Sequence, residues 1–120
     1  MPRRAALILF CLVFTVAGVG ARMAPSSNAP RRIEITAHRF AYEPDAITLK
    51  KGETVLLVLK TLDVNHGLRV RELGLDLKTS KGKPAEELFA PRKTGDFIGH
   101  CSVFCGAKHG TMKITFHVVE

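Results

Sequence analysis

The residues with the clearest chemistry in this chain lie within one twelve-residue segment. Cys101, Cys105, His109 and Met112 follow the pattern Cys-x3-Cys-x3-His-x2-Met. Thiolate, imidazole and thioether groups are soft ligands, and such a set selects copper over metal ions that prefer oxygen. His66, in the upstream segment DVNHG, supplies a further imidazole. The types and spacing of these residues predict a copper site.

The spacing of the two cysteines favours a site for two copper ions. With three residues between them, both sulfur atoms can point into one small volume, where two thiolates can bridge a pair of coppers. His66 and His109 would each bind one copper, and Met112 would be a weak axial ligand to one of them. The backbone carbonyl of Val103, midway between the cysteines, would be the weak oxygen ligand of the other. Sharing one electron between two metals limits the change in bond lengths. This suits electron transfer and leaves no open position for a substrate, so the domain alone is not predicted to be catalytic.

Two other interpretations of the same residues stay open. Two cysteines in an exported protein often form a disulfide. His66, Cys105, His109 and Met112 also make the complete ligand set of a mononuclear blue-copper site. That site would leave Cys101 as a free thiol in an oxidising compartment, where it is liable to oxidation. We favour two coppers because that interpretation gives every one of these residues a role.

The size and charge of the chain exclude several other classes of function. With 120 residues there is room for one domain core. The formal net charge is +7, but the basic residues occur singly or in pairs and there is no Trp. Nucleic-acid binding would call for a basic stripe with interleaved aromatic residues or a recognisable module. The charge indicates instead a solvated basic surface, or a preference for acidic proteins or anionic lipids.

The first part of the chain predicts export. Residues 1–21 begin with a positively charged segment and continue with a nearly unbroken apolar run that ends in Val-Gly-Ala, which is typical of a signal peptide or a single membrane-anchor helix. Residues 22–32 are rich in Pro, Ser and Asn and are predicted to be a flexible linker. The remaining residues, 33–120, would form the domain. Its predicted location is the periplasm or the outer face of the cytoplasmic membrane.

The elements that must position the ligands are predicted to be strands. Residues 33–40 alternate apolar and polar side chains, and residues 54–60 are β-branched and apolar enough for a central strand. Residues 42–45 and 93–96 are predicted turns, residues 68–77 alternate again, and residues 78–84 form a polar connection. Further strands are predicted at 46–50, 85–90 (an edge strand) and 113–119. Many short strands without an amphipathic helix predict an all-β Greek-key sandwich, preceded by the signal or anchor helix.

At its metal-binding residues the chain resembles the CuA domain of cytochrome c oxidase subunit II, which has a cupredoxin fold. Nitrous oxide reductase carries a related domain. The resemblance covers about residues 33–120 and rests on DVNHG and GDFIGHCSVFCGAKHGTM. It implies a CuA centre of two copper ions, with the five side chains named above and the carbonyl of Val103 as ligands. Asp63 would lie behind the first histidine or on a docking surface. The resemblance also implies a cytochrome or other periplasmic electron donor, and subunit I of a heme-copper oxidase or a similar acceptor.

The chain departs from that family in several respects. Val103 stands where many oxidase subunits have a Glu that serves a magnesium site. The Trp-containing aromatic stretch through which larger members receive electrons is missing, as is an acidic docking patch. The resemblance therefore implies a short, single-anchor subunit II or a free-standing periplasmic protein. A copper chaperone or storage protein is the alternative from another class, although such proteins tend to have exposed ligands rich in Met and His.

The remaining histidines and two phenylalanines carry weaker predictions. His38 and His117 are predicted to lie on strands as surface or hydrogen-bonded residues. His100 precedes the first cysteine and should point away from the metal. Phe97 and Phe104 are predicted to pack in the core and at the rim of the site, with Phe104 contributing to the apolar surroundings of the copper.

Overall fold

The computed structural model describes residues 29–120, together with Gly18 and Gly20. The predicted signal or anchor helix and most of the predicted linker lie outside the described residues. Within the described part of the chain, no helix has the length and hydrophobicity that a membrane crossing requires.

Residues 29–120 form an all-β structure of two sheets, which confirms the predicted all-β sandwich. One sheet has the order β2-β1-β4-β7 and the other the order β3-β9-β8-β5-β6. Two short 3-10 turns, Arg71–Leu73 and His109–Thr111, complete the regular structure of this region. The strands are β1 Arg31–His38, β2 Ala41–Glu43, β3 Ala46–Lys50, β4 Val55–Thr61, β5 His66–Val70, β6 Leu75–Thr79, β7 Ala85–Phe89, β8 Gly95–His100 and β9 Lys113–Val119.

The apolar periodicity of the strands builds the core between the two sheets. In β9, Ile114, Phe116 and Val118 are buried, and the residues between them are not. This alternation is the one the sequence predicts, because successive side chains of a strand point to opposite faces. β4 lies inside its sheet and β7 at the edge, as predicted. β1 runs parallel to β4, and β3 runs parallel to β9.

Three local predictions are corrected by the structure. The first strand begins at Arg31, before the predicted start at residue 33. Tyr42, predicted to lie in a turn, is in β2, where it pairs with Ala37 of β1, and it is buried with its hydroxyl donating to the carbonyl of Gly67. The alternating segment 68–77 is not one strand: it is broken by the 3-10 turn, after which Gly74 takes a left-handed φ of 70°. A glycine adopts that conformation without the steric cost of a side chain.

The two segments that carry the predicted ligands meet at one end of the sandwich. β8 and β9 are antiparallel neighbours, with His100 opposite Lys113 at the end of the ladder. Residues 101–112, which we call the cysteine loop, connect them there. β5 begins at His66 and pairs with β8 on its other side, with Arg69 opposite His100. The sheet order therefore brings His66 beside the cysteine loop.

Candidate metal centre

The cysteine loop folds back on itself so that its two ends lie together. Cys101 directly follows β8, and Met112 directly precedes β9. The amide of Cys101 donates to the carbonyl of Met112 at 3.4 Å, which closes the base of the loop. The 3-10 turn near its end is held by a hydrogen bond from the amide of Met112 to the carbonyl of His109 at 3.3 Å. These bonds bring Cys101, His109 and Met112 together at the base of the loop.

The structure brings all six predicted ligands into one cluster. The sulfur atoms of Cys101 and Cys105 are 3.7 Å apart, and both cysteines are free thiols. The Nδ1 atom of His66 lies 3.9 Å from the sulfur of Cys101, and the Nδ1 atom of His109 lies 3.6 Å from the sulfur of Cys105. Each thiol therefore has an imidazole of its own.

The two weaker predicted donors complete the same cluster. The thioether sulfur of Met112 lies 3.9 Å from the sulfur of Cys105. The carbonyl oxygen of Val103 lies 3.1 Å from the sulfur of Cys101. The methionine is thus on the side of one cysteine and the carbonyl on the side of the other.

The donor set fits copper in its chemistry and its burial. His66 and Met112 are fully buried, Cys101 and Cys105 nearly so, and His109 is half-buried. The donor atoms of His66, Cys101 and Cys105 all lie within 4.8 Å of one another. Two thiols, two imidazoles, a thioether and one carbonyl enclose a small volume from which water is largely excluded. Soft donors of these types suit copper.

Asp63 holds His66 in the orientation that turns Nδ1 toward the thiols. The Nε2 atom of His66 lies 2.7 Å from Oδ1 of Asp63, and this carboxylate also accepts from the amides of Val64 at 2.6 Å and Arg39 at 2.7 Å. Partial burial raises the pKa of Asp63, but these hydrogen bonds outweigh it and hold that pKa well below its usual range. The carboxylate stays charged, and a charged acceptor fixes the ring that donates to it.

The thiol of Cys105 is neutral near pH 7 in the metal-free protein. Burial, followed by the neighbouring thiol of Cys101, raises the pKa of Cys105 to about 11, and Arg39 opposes part of that rise. A metal that binds thiolate must therefore displace a proton from Cys105. The release of a proton on metal binding is expected for a buried thiol ligand and does not require a nucleophilic role for the thiol.

The cysteine loop packs directly against the start of β5. A Cβ atom added to Gly67 would lie 2.1 Å from the hydroxyl oxygen of Ser102 and 3.1 Å from the amides of Ser102 and Val103. Tyr42 supports the same position from the core through its hydrogen bond to the carbonyl of Gly67. A residue without a side chain is needed here because the loop backbone approaches the strand so closely.

The other singled-out residues lie outside the cluster. His38 lies 3.4 Å from Glu43, and His117 lies 2.6 Å from Asp96, so both are surface histidines with carboxylate neighbours. His100 is exposed.

The two phenylalanines occupy different environments. Phe97 packs against the core. Phe104 is 79% exposed, so it does not enclose the site, although its ring centroid lies 5.8 Å from that of His109. The side chain projects outward because the loop turns its buried residues, Cys101 and Cys105, inward on either side of it.

Sequence reasoning did not find the roles of Arg39 and Tyr42. Both lie more than twenty residues before the nearest predicted ligand. Neither belongs to a ligand pattern, and the side chain of each reaches a backbone carbonyl beside the site, that of Cys105 or that of Gly67. The one available signal was at Tyr42: placing it in a strand instead of a turn would have indicated that its side chain could point into the core.

A two-sheet β-sandwich that gathers two thiols, two imidazoles and a thioether beside its last strand is a cupredoxin-like metal domain. The family model described as cytochrome c oxidase subunit II, periplasmic domain, matches residues 26–119. The chain belongs to this family, and the resemblance predicted from the cysteine loop is confirmed. Membership and the donor set together imply copper binding.

Individual relatives are distant and mostly longer. The probable cytochrome c oxidase subunit 2 of Rickettsia prowazekii is 29% identical over 90 residues, which are 75% of this chain and 29% of that protein. The subunit 2 of Thermus thermophilus is 24% identical over 88 residues, 73% of this chain and 65% of the relative. The crystal structure of the periplasmic domain of subunit II of the Bradyrhizobium japonicum cytochrome oxidase has a TM-score of 0.68 at 22% identity and covers 75% of this chain and 84% of its own. The chain thus spans 29% and 65% of the lengths of these two curated relatives, and the solved structure supports the fold.

Proposed function

We propose that the domain binds two copper ions as a CuA centre and transfers electrons from a periplasmic carrier to a membrane terminal oxidase. The observation that carries this proposal is the pairing of donors. Each thiol has its own imidazole, and the two thiols lie 3.7 Å apart, within reach of a shared pair of metals. A mononuclear site would use His66 and the thiol of Cys105, and it would leave the buried thiol of Cys101 beside His66 without a metal.

Six groups of this chain would hold the copper: the side chains of His66, Cys101, Cys105, His109 and Met112 and the carbonyl of Val103. The bound copper would supply one-electron redox chemistry. The protein would keep the donors fixed on packed strands and exclude water from the sulfur atoms, so that little rearrangement accompanies a change of charge. His109 is half-buried, unlike the fully buried His66, and is therefore the donor side chain through which an electron would most directly reach the surface.

The location and partners follow from the family and remain part of the proposal. Subunit II relatives belong to cytochrome c oxidases, so the acceptor would be subunit I of a heme-copper oxidase and the donor a cytochrome or another periplasmic carrier. The domain would lie in the periplasm or at the outer face of the cytoplasmic membrane. On its own it would carry electrons without catalysing the reduction of a substrate.

The deciding experiment is the copper content and EPR spectrum of the copper-loaded protein. We expect two coppers per chain and a hyperfine pattern with more than the four lines of a single copper nucleus. Cys101→Ser should lose the shared pattern, and His66→Asn should do the same or lose copper. His38→Asn is the matched control, because His38 lies outside the cluster, and it should leave both readouts unchanged.

The other outcomes are also informative. One copper with four lines would identify a mononuclear blue-copper protein and refute the binuclear centre. Copper that is lost quickly to a mild chelator, without a reversible redox wave, would favour a chaperone or storage protein. Absence of tightly bound copper would refute the site assignment.

A further inference from the structure

Arg39, just beyond the end of β1, touches both segments that carry the predicted ligands. Its side-chain Nε–H donates to the backbone carbonyl of Cys105 at 2.9 Å. Its backbone amide donates to Oδ2 of Asp63 at 2.7 Å, and the other oxygen of that carboxylate holds His66. One residue thus connects the middle of the cysteine loop to the segment that positions the distant histidine.

The cysteine loop has few other ties to the rest of the protein. The backbone hydrogen bonds described for its residues close the loop on itself. Apart from the sulfur contacts of the cluster, two hydrogen bonds from described residues join its interior to other elements. One is the bond from Arg39, and the other is a 3.3 Å bond from the hydroxyl of Ser102 to the exposed carboxylate of Asp76. Each of these bonds has one charged partner, but the bond from Arg39 is the shorter one and is partly buried, whereas the bond to Asp76 is exposed to water, so the bond from Arg39 is the stronger of the two.

The loop also packs closely onto the chain around Arg39. Gly106 has a φ of 142°, and a Cβ atom added to it would lie 2.8 Å from the ring of Phe40 and 3.6 Å from the Nε atom of Arg39. The turn after β1 is therefore the surface on which the centre of the cysteine loop rests. A change at this contact would be transmitted to the sulfur of Cys105 through its own backbone.

The guanidinium brings a permanent positive charge to the side of one thiol. A guanidinium group carries a full positive charge in proteins. A nearby cation stabilises the more negative of two charge states, and the attraction is only partly screened at a partly buried position. The reduced state of a metal site carries one positive charge fewer than the oxidised state, so this cation favours reduction.

We infer that Arg39 is a positioning residue of the copper site, which clamps the cysteine loop to the His66 segment and raises the reduction potential by its charge. The second part of this inference rests on the proposed copper function. The first part concerns the chain alone and can be tested in metal-free protein.

The test compares Arg39→Ala, Arg39→Gln and Arg39→Lys with Arg92→Gln in the full chain. Arg92 lies in the connection before β8, at the end of that strand remote from the cysteine loop, so its variant removes the same charge without touching the site. Hydrogen exchange of the peptide covering residues 101–112 is measured in metal-free protein. The reduction potential and the rate of copper loss to a chelator are measured after loading.

We expect Arg39→Ala to raise hydrogen exchange in this peptide severalfold and to speed copper loss by about tenfold, the effect of losing one charged hydrogen bond. Arg39→Gln should lower the reduction potential by up to about 59 mV, which corresponds to a tenfold change in the one-electron equilibrium. Arg39→Lys keeps the charge but not the fixed Nε donor. Arg39→Lys should therefore have a reduction potential close to that of the unmodified protein, while hydrogen exchange in the cysteine loop should be faster. This variant keeps the test decisive if the other variants do not fold.

Two results would overturn the inference. Loop exchange in the Arg39 variants equal to that in Arg92→Gln would refute the clamp. A potential in Arg39→Gln that matches the Arg92→Gln control would refute the role of the charge. If the unmodified protein binds no copper, the proposed function fails, and the exchange measurement still decides whether Arg39 holds the loop.

Discussion

Replacing Asp63 with alanine should weaken copper binding without removing any ligand. His66 is fully buried, and its Nε2 atom has the carboxylate of Asp63 as its partner at 2.7 Å. Loss of a hydrogen bond to a charged group costs about 1.5–3 kcal/mol. Each 1.4 kcal/mol is about a factor of ten in affinity. This range corresponds to a 10- to 100-fold loss, which is also the usual effect of removing the group that orients a metal-binding histidine.

The exposure of Asp63 places the expected effect in the lower part of that range. Its side chain is 33% exposed, so water can enter the alanine variant and replace part of the lost interaction. We therefore expect copper affinity to fall by about 10- to 30-fold. Asp63→Asn should not rescue it. An asparagine that accepts from His66 through its oxygen turns its NH2 group toward the amide of Arg39, which is also a donor.

The assay is competition for copper against a chelator of known affinity, with the midpoint of urea unfolding measured in parallel. Asp45→Asn is the matched control, because Asp45 is an exposed acid between β2 and β3 whose side chain makes no hydrogen bond within the described residues. Equal copper affinity in the Asp63→Ala and Asp45→Asn variants, both folded, would refute the reasoning. It would mean that packing alone orients the imidazole.

Three further predictions concern packing and charge. Gly67→Ala should lower the free energy of unfolding in urea by about 1–3 kcal/mol, because the added Cβ atom would collide with the cysteine loop. Gly110 has open space around it, so Gly110→Ala is the control and should change the free energy of unfolding by no more than about 0.5 kcal/mol. Equal values would show that the loop moves aside freely. Phe116→Ala should lower the free energy of unfolding by about 3–5 kcal/mol, since this ring is fully buried. Phe104→Ala should change it by no more than about 0.5 kcal/mol, because Phe104 is exposed. A large loss of stability in Phe104→Ala would contradict that exposure. A hydrogen bond from Arg69 on the neighbouring strand holds the pKa of Asp76 below its usual range. The ionised Asp76 therefore stabilises the folded state above about pH 4, and this contribution is lost as the pH falls through the folded-state pKa. The free energy of unfolding should therefore fall less at acid pH in Asp76→Asn than in the unmodified protein, by less than about 1 kcal/mol. A steeper fall at acid pH in the variant would contradict the prediction.

The sequence by itself determined the kind of chemistry and the class of fold. Ligand chemistry is carried by side-chain type, and a tight spacing such as that from Cys101 to Met112 restricts which donors can meet. Strand periodicity is also local, so the buried face of β9 follows from every second residue. The segment 68–77 shows the limit of this reasoning, because alternation continues across a 3-10 turn that only Gly74 marks.

Only the tertiary structure decided which distant residues meet at the site. His66 lies beside Cys101 because β5 and β8 are neighbours in one sheet, a pairing that no local pattern specifies. Arg39 and Tyr42 reach the site through backbone carbonyls, and a carbonyl is present at every position, so residue type gives no signal of such contacts. Sheet order and the close packing of two faces are cooperative properties of the whole domain. For that physical reason the donors could be predicted from the chain, whereas the residues that hold them in place required the fold.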